Sequence, residues 1–593
     1  MHALHRPGGV WCQPKPSSKQ WKAGVSRLWS GSARNAAPTR YLSLRPMLCA
    51  STPNSTSAAT QPIDYSTLDV CSDMPAHYDR DIPNWAAKRR AGVIIHPTSL
   101  PGAYGIGEIG EQSRKLVDWI ESAGMQCWQI LPLVPPDPMF YSPYSGTDSN
   151  AGNPLVISID DLIRDGLLDA SDAPARVPVA DVDFAKVAEV KLPLLKRATA
   201  RLLSHDSFKG LREELVTWRK AHSWIEDSAV FEVARTQPDL ADKAWWDWPD
   251  GLRFRHSEVL QEFTEKHKQA IEEWVALQFL FDRQWLALRV SVGLNKRMPR
   301  PVPRPGSAPA GVGESDMPIY VGGHSSDVWA NQRLFELSAT GFPEKCQLWG
   351  SPLYKWSEHR KEEYAWWSQR LGRALELYDE TRIDHFRGFA GYWSVDAKAE
   401  TAMGGCWKKG PGLELFTAMK AKLGKVPILA EDLGVITTDV VQLREAIGAP
   451  GMVVMQFAWG GGPSNVHMPH MHYDNCFVYP GTHDNETAVG WFKGSAGEQD
   501  KEVLKAYLKT DGKDIAWDLI KVSMFSVART CITMMQDVMR LDNTARMNTP
   551  GVAAGNWRWR IGDEGVWERL RTEAADFKAL CHATARLPPP PSK

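Results

Sequence analysis

The chain has 593 residues, with 69 lysine and arginine side chains against 70 aspartate and glutamate side chains and a formal net charge of −1. This length allows a large core, and the lack of a basic excess argues against nucleic acid as a partner. The sequence has no apolar run of about 18 residues or more, so no membrane-spanning helix is expected. Tryptophan is frequent, at 26 residues, and its wide apolar ring with one N–H group suits flat, half-polar ligands as well as core packing.

The first 63 residues differ in composition from the rest of the chain. They contain no acidic residue and eight lysine or arginine residues among many Ser, Ala and Pro. This composition is typical of an organelle transit peptide, and a disordered basic arm is the alternative. We predict a disordered leader over 1–63 and a single domain over 64–593. The nine cysteines stand singly, without a C-x-x-C pair or histidines at metal-ligand spacing, so neither a zinc site nor a disulfide framework is expected.

Seven short apolar runs, each too brief for a helix, end in polar or turn residues and are predicted as buried parallel strands. They cover residues 91–96, 127–132, 317–321, 381–385, 426–431, 452–457 and 476–480. Helix-like segments such as Asp439–Ile447 lie between several of them. This alternation predicts an α/β fold, either a barrel or a doubly wound sheet. In a barrel, reactive side chains collect at the carboxyl ends of the strands.

Two further segments lie between the second and third predicted strands. An insertion over about 160–285 has a mostly helical pattern, for example over Ser257–Ala276. Inside it, Trp245–Pro249 carries three tryptophans that could form a sugar platform or pack helices together. Residues 297–313 are rich in proline and are predicted to be irregular, because proline is excluded from helix interiors and central strands.

Three carboxylates stand at or just beyond predicted strand ends: Asp384, Glu431 and Asp484. Cleavage of an acetal with retention needs one ionised carboxylate as nucleophile and one protonated carboxyl as acid. A third carboxylate can stabilise the positive charge that develops on the sugar. Arg382 lies two residues before Asp384, on the same face of a strand, and is expected to keep that carboxylate ionised. The pattern therefore predicts glycosyl transfer or hydrolysis.

A metal site is the main chemical alternative, since His385, Glu431, His483 and Asp484 are all possible ligands. No recognised metal-binding spacing supports it, and no metal is expected. Gly105–Gly110 has G-x-G-x-x-G form, but it follows a loop rather than a strand, so no dinucleotide cofactor is predicted.

Eight ordered motifs extend from about residue 88 to the C-terminus. They are Arg90–Pro101, Ser142–Gly146, Ala151–Pro154, Gln347–Tyr354, Arg382–Gly388, Ala430–Gly434, Gly481–Asn485 and Arg546–Pro550. Together they make the sequence resemble the 4-alpha-glucanotransferases, the amylomaltases or disproportionating enzymes of glycoside hydrolase family 77. The likeness is closest to the plastid form of plants and algae, which implies the chloroplast (plastid stroma) and agrees with the leader.

The resemblance implies a (β/α)8 TIM barrel with helical insertions and without a separate C-terminal β-domain. It implies Asp384 as nucleophile, Glu431 as general acid/base and Asp484 as transition-state stabiliser, with no metal or organic cofactor. Nine residues would line the sugar subsites: Tyr144, Asp316, Gln347, Trp349, Arg382, His385, Asp432, His483 and Asn548. The implied reaction moves a segment of an α-1,4-glucan onto the 4-hydroxyl of glucose or a maltooligosaccharide by a retaining double displacement, as part of starch metabolism.

Two stretches depart from the family pattern. The proline-rich segment, followed by Gly313–Asp316, takes the place of an apolar stretch, which would remove half a barrel strand. Thr340–Cys346 leads straight into Gln347, which predicts a shortened lid over the bound glucan. Two alternatives therefore stay open: an α-glucan hydrolase with an open lid, and a non-catalytic glucan-binding protein.

Overall fold

The computed structural model describes residues 89–177, 181–289, 314–347, 351–399, 401–552 and 554–588, all within one compact unit that spans Ile82–Lys593. The predicted leader over 1–63, the proline-rich segment over 297–313 and Trp349 lie outside these residues. The described strands are β1 Arg90–Ile94, β2 Cys127–Ile130, β3 Glu314–Pro318, β4 Lys345–Gln347, β5 Ser351–Pro352, β6 Glu380–Asp384, β7 Gly391–Asp396, β8 Cys406–Lys409, β9 Ile428–Ala430, β10 Gly451–Val454, β11 Cys476–Tyr479 and β12 Thr530–Met534.

The described α-helices surround these strands and fill the insertion. They are α1 Glu111–Ser122, α2 Ile159–Arg164, α3 Phe184–Ser204, α4 Lys209–Ala221, α5 Trp224–Arg235, α6 Asp250–Arg253, α7 Ser257–Lys266, α8 Lys268–Arg289, α9 Ser326–Ala330, α10 Trp356–Lys361, α11 Ala365–Leu377, α12 Leu413–Leu423, α13 Thr438–Ala446, α14 Ala488–Lys493, α15 Glu498–Leu508, α16 Ile515–Phe525, α17 Met535–Val538, α18 Val566–Arg569 and α19 Arg571–Ala583. None of the helices in the described ranges is long and apolar enough to cross a bilayer.

Eight of the strands form one parallel sheet, in the order β10-β11-β12-β1-β2-β3-β6-β9. At the junction of the two outer strands, the Ala430 N–H donates to the carbonyl oxygen of Pro450, just before β10, over 3.0 Å. The sheet is therefore a nearly closed barrel, and the predicted α/β barrel is confirmed. A doubly wound sheet, the alternative from the sequence, does not describe it.

The structure corrects the sequence prediction at two strands. β3 begins three residues before the predicted start, at Glu314, and pairs with β6 along its whole length. The half strand that the proline-rich segment was expected to remove is thus supplied by Glu314–Asp316. The eighth strand, β12, was not predicted, because its threonines interrupt the apolar pattern, although all five of its residues are buried.

The predicted helical insertion is present as helices α2 to α8. The helix predicted over Ser257–Ala276 is two helices, since α7 ends at Lys266 and α8 begins at Lys268. Trp245 and Trp248 are fully buried, and the Trp245 indole N–H donates to the carbonyl oxygen of Gly323. These two rings pack the core, so a sugar platform does not describe them.

A smaller antiparallel sheet, in the order β5-β4-β7-β8, follows the barrel strands β3 and β6 in the chain. The expected shortened loop before Gln347 is a tight turn, in which Ser338 N–H donates to the Phe342 carbonyl oxygen. Gly341 has a φ of +85°, and a Cβ there would come within 2.5 Å of the Trp245 ring. The turn is thus held against the buried tryptophans of the insertion.

Asp537 in α17 provides a test of buried charge in this fold. Its side chain is fully buried, its Oδ1 accepts from the Ala488 N–H over 2.7 Å, and burial raises its pKa to about 7. The folded state therefore holds a proton that the unfolded chain releases near pH 4, so the free energy of unfolding falls as pH rises from about 4 to 7. We expect Asp537→Asn to abolish this fall, so that between pH 4 and pH 8 the variant loses about 4 kcal/mol less free energy of unfolding than wild type. Urea unfolding at both pH values measures it, and equal pH slopes for the two proteins would contradict it.

Candidate active site

The three predicted carboxylates all follow barrel strands at their carboxyl ends. Asp384 is the last residue of β6, Glu431 comes directly after β9, and Asp484 lies in the loop after β11. β6 and β9 are neighbouring strands in which Ile383 pairs with Ala430. Asp384 and Glu431 each follow one of these paired residues, so they lie beside each other. The fold thus brings together carboxylates that are far apart in sequence.

The Glu431 carboxylate is held by two backbone N–H groups, one just after Asp384 and one two residues after Glu431 itself. The His385 N–H donates to Glu431 Oε2 over 2.8 Å, and the Leu433 N–H donates to Oε1 over 2.9 Å. His385 adopts a left-handed conformation with φ of +56°, which is uncommon for a residue other than glycine. This turn aims its peptide N–H at Glu431 and joins the β6 and β9 loops.

Arg382 lies between Asp384 and a buried network. Its Nη1 is 3.1 Å from Asp384 Oδ1 and also donates to Asp316 Oδ2. Arg382 and Asp316 have side chains only 4% and 1% exposed, whereas the Asp384 side chain is 32% exposed. Asp384 therefore faces the mouth, and Asp316 lies behind the guanidinium.

Tyr144 closes this network on the other side. Its hydroxyl donates to Asp316 Oδ2 and makes a 2.7 Å hydrogen bond with His483 Nε2. The Tyr144 and His483 rings stack at 5.3 Å, and the Trp557 ring lies 5.6 Å from Tyr144. The result is a wall of three rings, in which the Tyr144 hydroxyl and His483 Nε2 are bonded to each other.

Asp484 is fixed from two directions. The Asn548 side-chain N–H donates to Asp484 Oδ1 over 2.6 Å, and His483 Nε2 lies 3.5 Å from the same oxygen. Arg546 donates to the Asp484 carbonyl oxygen over 3.0 Å. With its side chain 36% exposed, Asp484 presents its carboxylate to the mouth.

Burial dominates the electrostatics of the site. It raises the pKa of Asp384 well above its usual value, with Asp316, Glu431 and Asp484 acting in the same direction and Arg382 opposing them. Burial also raises the pKa of Glu431, while Arg382 and the two backbone N–H donors lower it. Arg382 acts on Asp384 in the expected direction, because it lowers the pKa of this carboxylate, but burial and three other carboxylates outweigh it.

The two histidines of the site are neutral at ordinary pH. Burial lowers the pKa of His385 to about 4, and Arg387 adds to this effect. Burial likewise lowers the pKa of His483, which Asp484 partly offsets. They therefore act as hydrogen-bonding groups rather than as charges.

Two of the predicted subsite residues, Asp432 and Asp316, are bonded to arginines, and the side chains of two others lie outside the described residues. Asp432 turns away from the mouth, where Met452 N–H donates to its Oδ1 over 2.7 Å and Arg444 donates to its Oδ2. Gln347 ends β4, and its side chain, like Trp349, lies outside the described part of the chain. The Asp316 side chain is only 1% exposed, and its Oδ2 accepts from Arg382.

Two residues near the site were missed by the sequence reasoning. His96 follows β1, is 5% exposed, and has a pKa lowered to about 3 by burial and by His483. Its signal was present, since it is a polar residue just beyond a strand end. Trp557 has a φ of +67° and lies in a loop without a pattern that could predict its ring position.

Within the described ranges, no group of three or more His, Cys, Asp and Glu side chains is arranged to hold a metal ion. The carboxylates contact guanidinium, amide and backbone N–H groups instead. A parallel barrel with adjacent acid groups of this kind, aromatic walls and a buried cation defines a class: barrel enzymes that cleave and form glycosidic bonds.

The comparisons narrow this class to one family. The family model described as 4-alpha-glucanotransferase matches residues 95–564. The chloroplastic/amyloplastic 4-alpha-glucanotransferase of Arabidopsis thaliana is 44% identical over 540 residues, which are 88% of this chain and 90% of the relative. That of Solanum tuberosum is 42% identical over 87% of this chain and 90% of its own length. The chain belongs to the 4-alpha-glucanotransferase family and is a chloroplast-type member of it.

Solved structures agree with this assignment. The amylomaltase of Streptococcus agalactiae in complex with acarbose superposes with a TM-score of 0.77 at 31% identity, over 84% of this chain and 100% of that one. The amylomaltase of Corynebacterium glutamicum reaches 0.64 at 15% identity, over 86% and 77% of the two chains, and supports the fold alone.

Proposed function

We propose that the site transfers a segment of an α-1,4-glucan to the 4-hydroxyl of glucose or a maltooligosaccharide, with retention. The observation that carries this proposal is the hydrogen bond from the peptide N–H after Asp384 to Glu431 Oε2, which fixes an acid beside a nucleophile. Membership of the 4-alpha-glucanotransferase family supports the same reaction. The site binds maltooligosaccharides and longer α-glucans as donors.

In the first half-reaction, Glu431 donates its proton to the glycosidic oxygen that leaves. Asp384 Oδ attacks the anomeric carbon, and a covalent glycosyl-enzyme forms as the bond to the leaving sugar breaks. Arg382, 3.1 Å from Asp384 Oδ1, opposes the rise in the pKa of this carboxylate and so favours its ionised form. Glu431 is left ionised, and the N–H groups of His385 and Leu433 stabilise that form.

In the second half-reaction, Glu431 removes the proton from the 4-hydroxyl of the acceptor. That oxygen attacks the anomeric carbon and expels Asp384, which restores the starting protonation of both groups. Asp484, oriented by Asn548, stabilises the positive charge of the oxocarbenium-like transition state in both steps. The tyrosine and histidine rings beside it form one wall of the subsite that holds the reacting sugar.

The remaining assignments extend this proposal to the whole chain. Residues 1–63 act as the plastid leader, and 64–593 form the single catalytic barrel domain. Gln347 and Trp349 are assigned to the sugar subsites, as the family resemblance implies. Asp432 acts as a positioning residue through Arg444, since both of its oxygens are already bonded.

Hydrolysis is the second candidate, and the short turn before β4 favours it because a shorter loop admits more water. Labelled glucose added to maltotriose distinguishes the two. Transfer predicts label in maltose and longer products, whereas hydrolysis leaves all label in glucose. Label confined to glucose while maltotriose is consumed would overturn the transfer proposal.

The pH dependence of the reaction is expected to be bell-shaped, with both limbs at higher pH than ordinary carboxyl groups give. The acid limb belongs to Asp384 and the basic limb to Glu431, whose pKa values are both raised by burial. Asp316→Asn removes one of the charges that raises the pKa of Asp384. We expect the acid limb of kcat/KM to move to lower pH in this variant.

The basic limb should move less in this variant, which provides the internal control. A purely structural role of Asp316 would lower the rate at every pH without moving the acid limb. An acid limb that stays in place, or moves to higher pH, would contradict the electrostatic role.

A further inference from the structure

The hairpin formed by β7 and β8 carries a pair of tryptophans, of which Trp407 is exposed and Trp393 is partly buried. Trp393 and Trp407 face each other across the two strands, with ring centroids 5.3 Å apart. Trp407 is 55% exposed and is the one tryptophan among the exposed large apolar side chains of the described residues. Met403, on the connection between the strands, is 89% exposed. The wide apolar face and single N–H of an exposed indole suit contact with a flat, half-polar ligand.

This surface continues to the catalytic loops through one residue. The Arg387 guanidinium lies 4.2 Å from the centroid of the Trp407 ring and donates to the carbonyl oxygen of Val435. Arg387 is two residues beyond His385, whose N–H holds Glu431. Val435, in the loop that follows Glu431, is 70% exposed. We call Trp407, Met403 and Val435 the rim patch, and Arg387 links Trp407 in this patch to the loop that carries Val435.

The hairpin fixes the Trp393 ring, against which the Trp407 ring packs. The Trp393 indole N–H donates to the carbonyl oxygen of Ala402 over 2.8 Å. A Cβ on Gly405 would come within 2.3 Å of the Trp393 indole nitrogen, so only glycine allows this packing. A ring fixed in advance loses little conformational freedom on binding.

We propose that the rim patch is a remote glucan subsite, at which Trp407 stacks on a sugar ring of a long α-glucan whose other end occupies the catalytic carboxylates. This proposal rests on the proposed function and adds a place for sugars beyond those next to the cleaved bond. The sugar face with its C–H groups packs on the indole, and its hydroxyl edges remain in water. Because a donor must be long enough to reach both the rim patch and the carboxylates, the subsite favours long donors over short ones.

The test compares Trp407→Ala with wild type on two donors, maltotriose and long amylose. In Trp407→Ala we expect the ratio of KM for long amylose to KM for maltotriose to rise about tenfold over wild type. This is the effect of losing one stacked aromatic contact. Trp407→Phe should restore part of the preference. Electrophoresis through gels that contain amylose measures binding separately, and the alanine variant should migrate faster than wild type.

Phe525→Ala is the matched control, because Phe525 is 62% exposed at the end of α16, before β12 and away from the mouth. It should leave the ratio and the migration unchanged. Equal KM changes on both donors, or unchanged amylose binding in Trp407→Ala, would overturn the subsite. If Trp407→Ala does not fold, the same KM ratio is measured for Trp407→Phe and Met403→Ala with the same two donors. Failure of the proposed function is distinct, since wild type would then fail to redistribute maltotriose.

Discussion

Asp384→Asn is expected to lower kcat for maltotriose disproportionation by about four orders of magnitude or more. The amide that replaces the carboxylate cannot form the glycosyl-enzyme, so neither half-reaction proceeds. Binding of glucan should persist, because Tyr144, Arg382 and Asn548 keep their positions and the new side chain has nearly the same shape. Stopped assays with product separation measure the rate, and calorimetry with a maltooligosaccharide measures binding.

Asp511→Asn, at an exposed carboxylate in the loop before α16, is the matched control and should behave as wild type. A rate for Asp384→Asn within tenfold of wild type would show that another group attacks the sugar. Loss of both binding and stability would instead mean that the substitution damages the fold, and Asp384→Ala would then be measured in its place.

Glu431→Gln is expected to lower kcat for maltotriose by about 10²- to 10⁴-fold, because no proton reaches the leaving oxygen. A donor with a good leaving group, such as an α-maltosyl fluoride, does not need that proton in the first step. With this donor the variant should therefore form the glycosyl-enzyme but discharge it slowly, since Glu431 is also the base. Mass spectrometry should show a maltosyl unit bound to Asp384.

Glu502→Gln is the control, since Glu502 is an exposed glutamate of α15. Two results would count against the assignment: an unchanged rate on maltotriose, or an equal loss of rate with maltotriose and with the fluoride. The second result would mean that Glu431 supports the site without moving a proton.

The residues at the carboxyl ends of strands could be predicted from the sequence with most success. Asp384 and Glu431 each follow a short apolar run, and a parallel sheet brings such ends to one edge. The start of β3 was predicted too late in the chain because Ser315 and Asp316 are polar. Both residues are nevertheless buried, since the Asp316 carboxylate accepts from Arg382 inside the barrel. The polarity that serves the site obscured the strand.

Other features depend on contacts between distant parts of the chain. The pKa of Asp384 depends on burial, on Arg382 and on three other carboxylates that the fold brings close. Of these groups, only Arg382 lies near Asp384 in the sequence. Asp432 sits next to Glu431, but its carboxylate is turned to Arg444 and Met452, which only the fold reveals. The ring of Trp557 reaches Tyr144 from a loop over 400 residues further along the chain.

The central claim is that this site transfers glucan segments rather than hydrolysing them. The most direct measurement incubates protein from residue 64 onward with maltotriose and follows free glucose, longer maltodextrins and the total number of reducing ends. Transfer predicts glucose together with a ladder of longer products at a constant number of reducing ends. A rising number of reducing ends with only shorter products, or no products at all, would contradict the account.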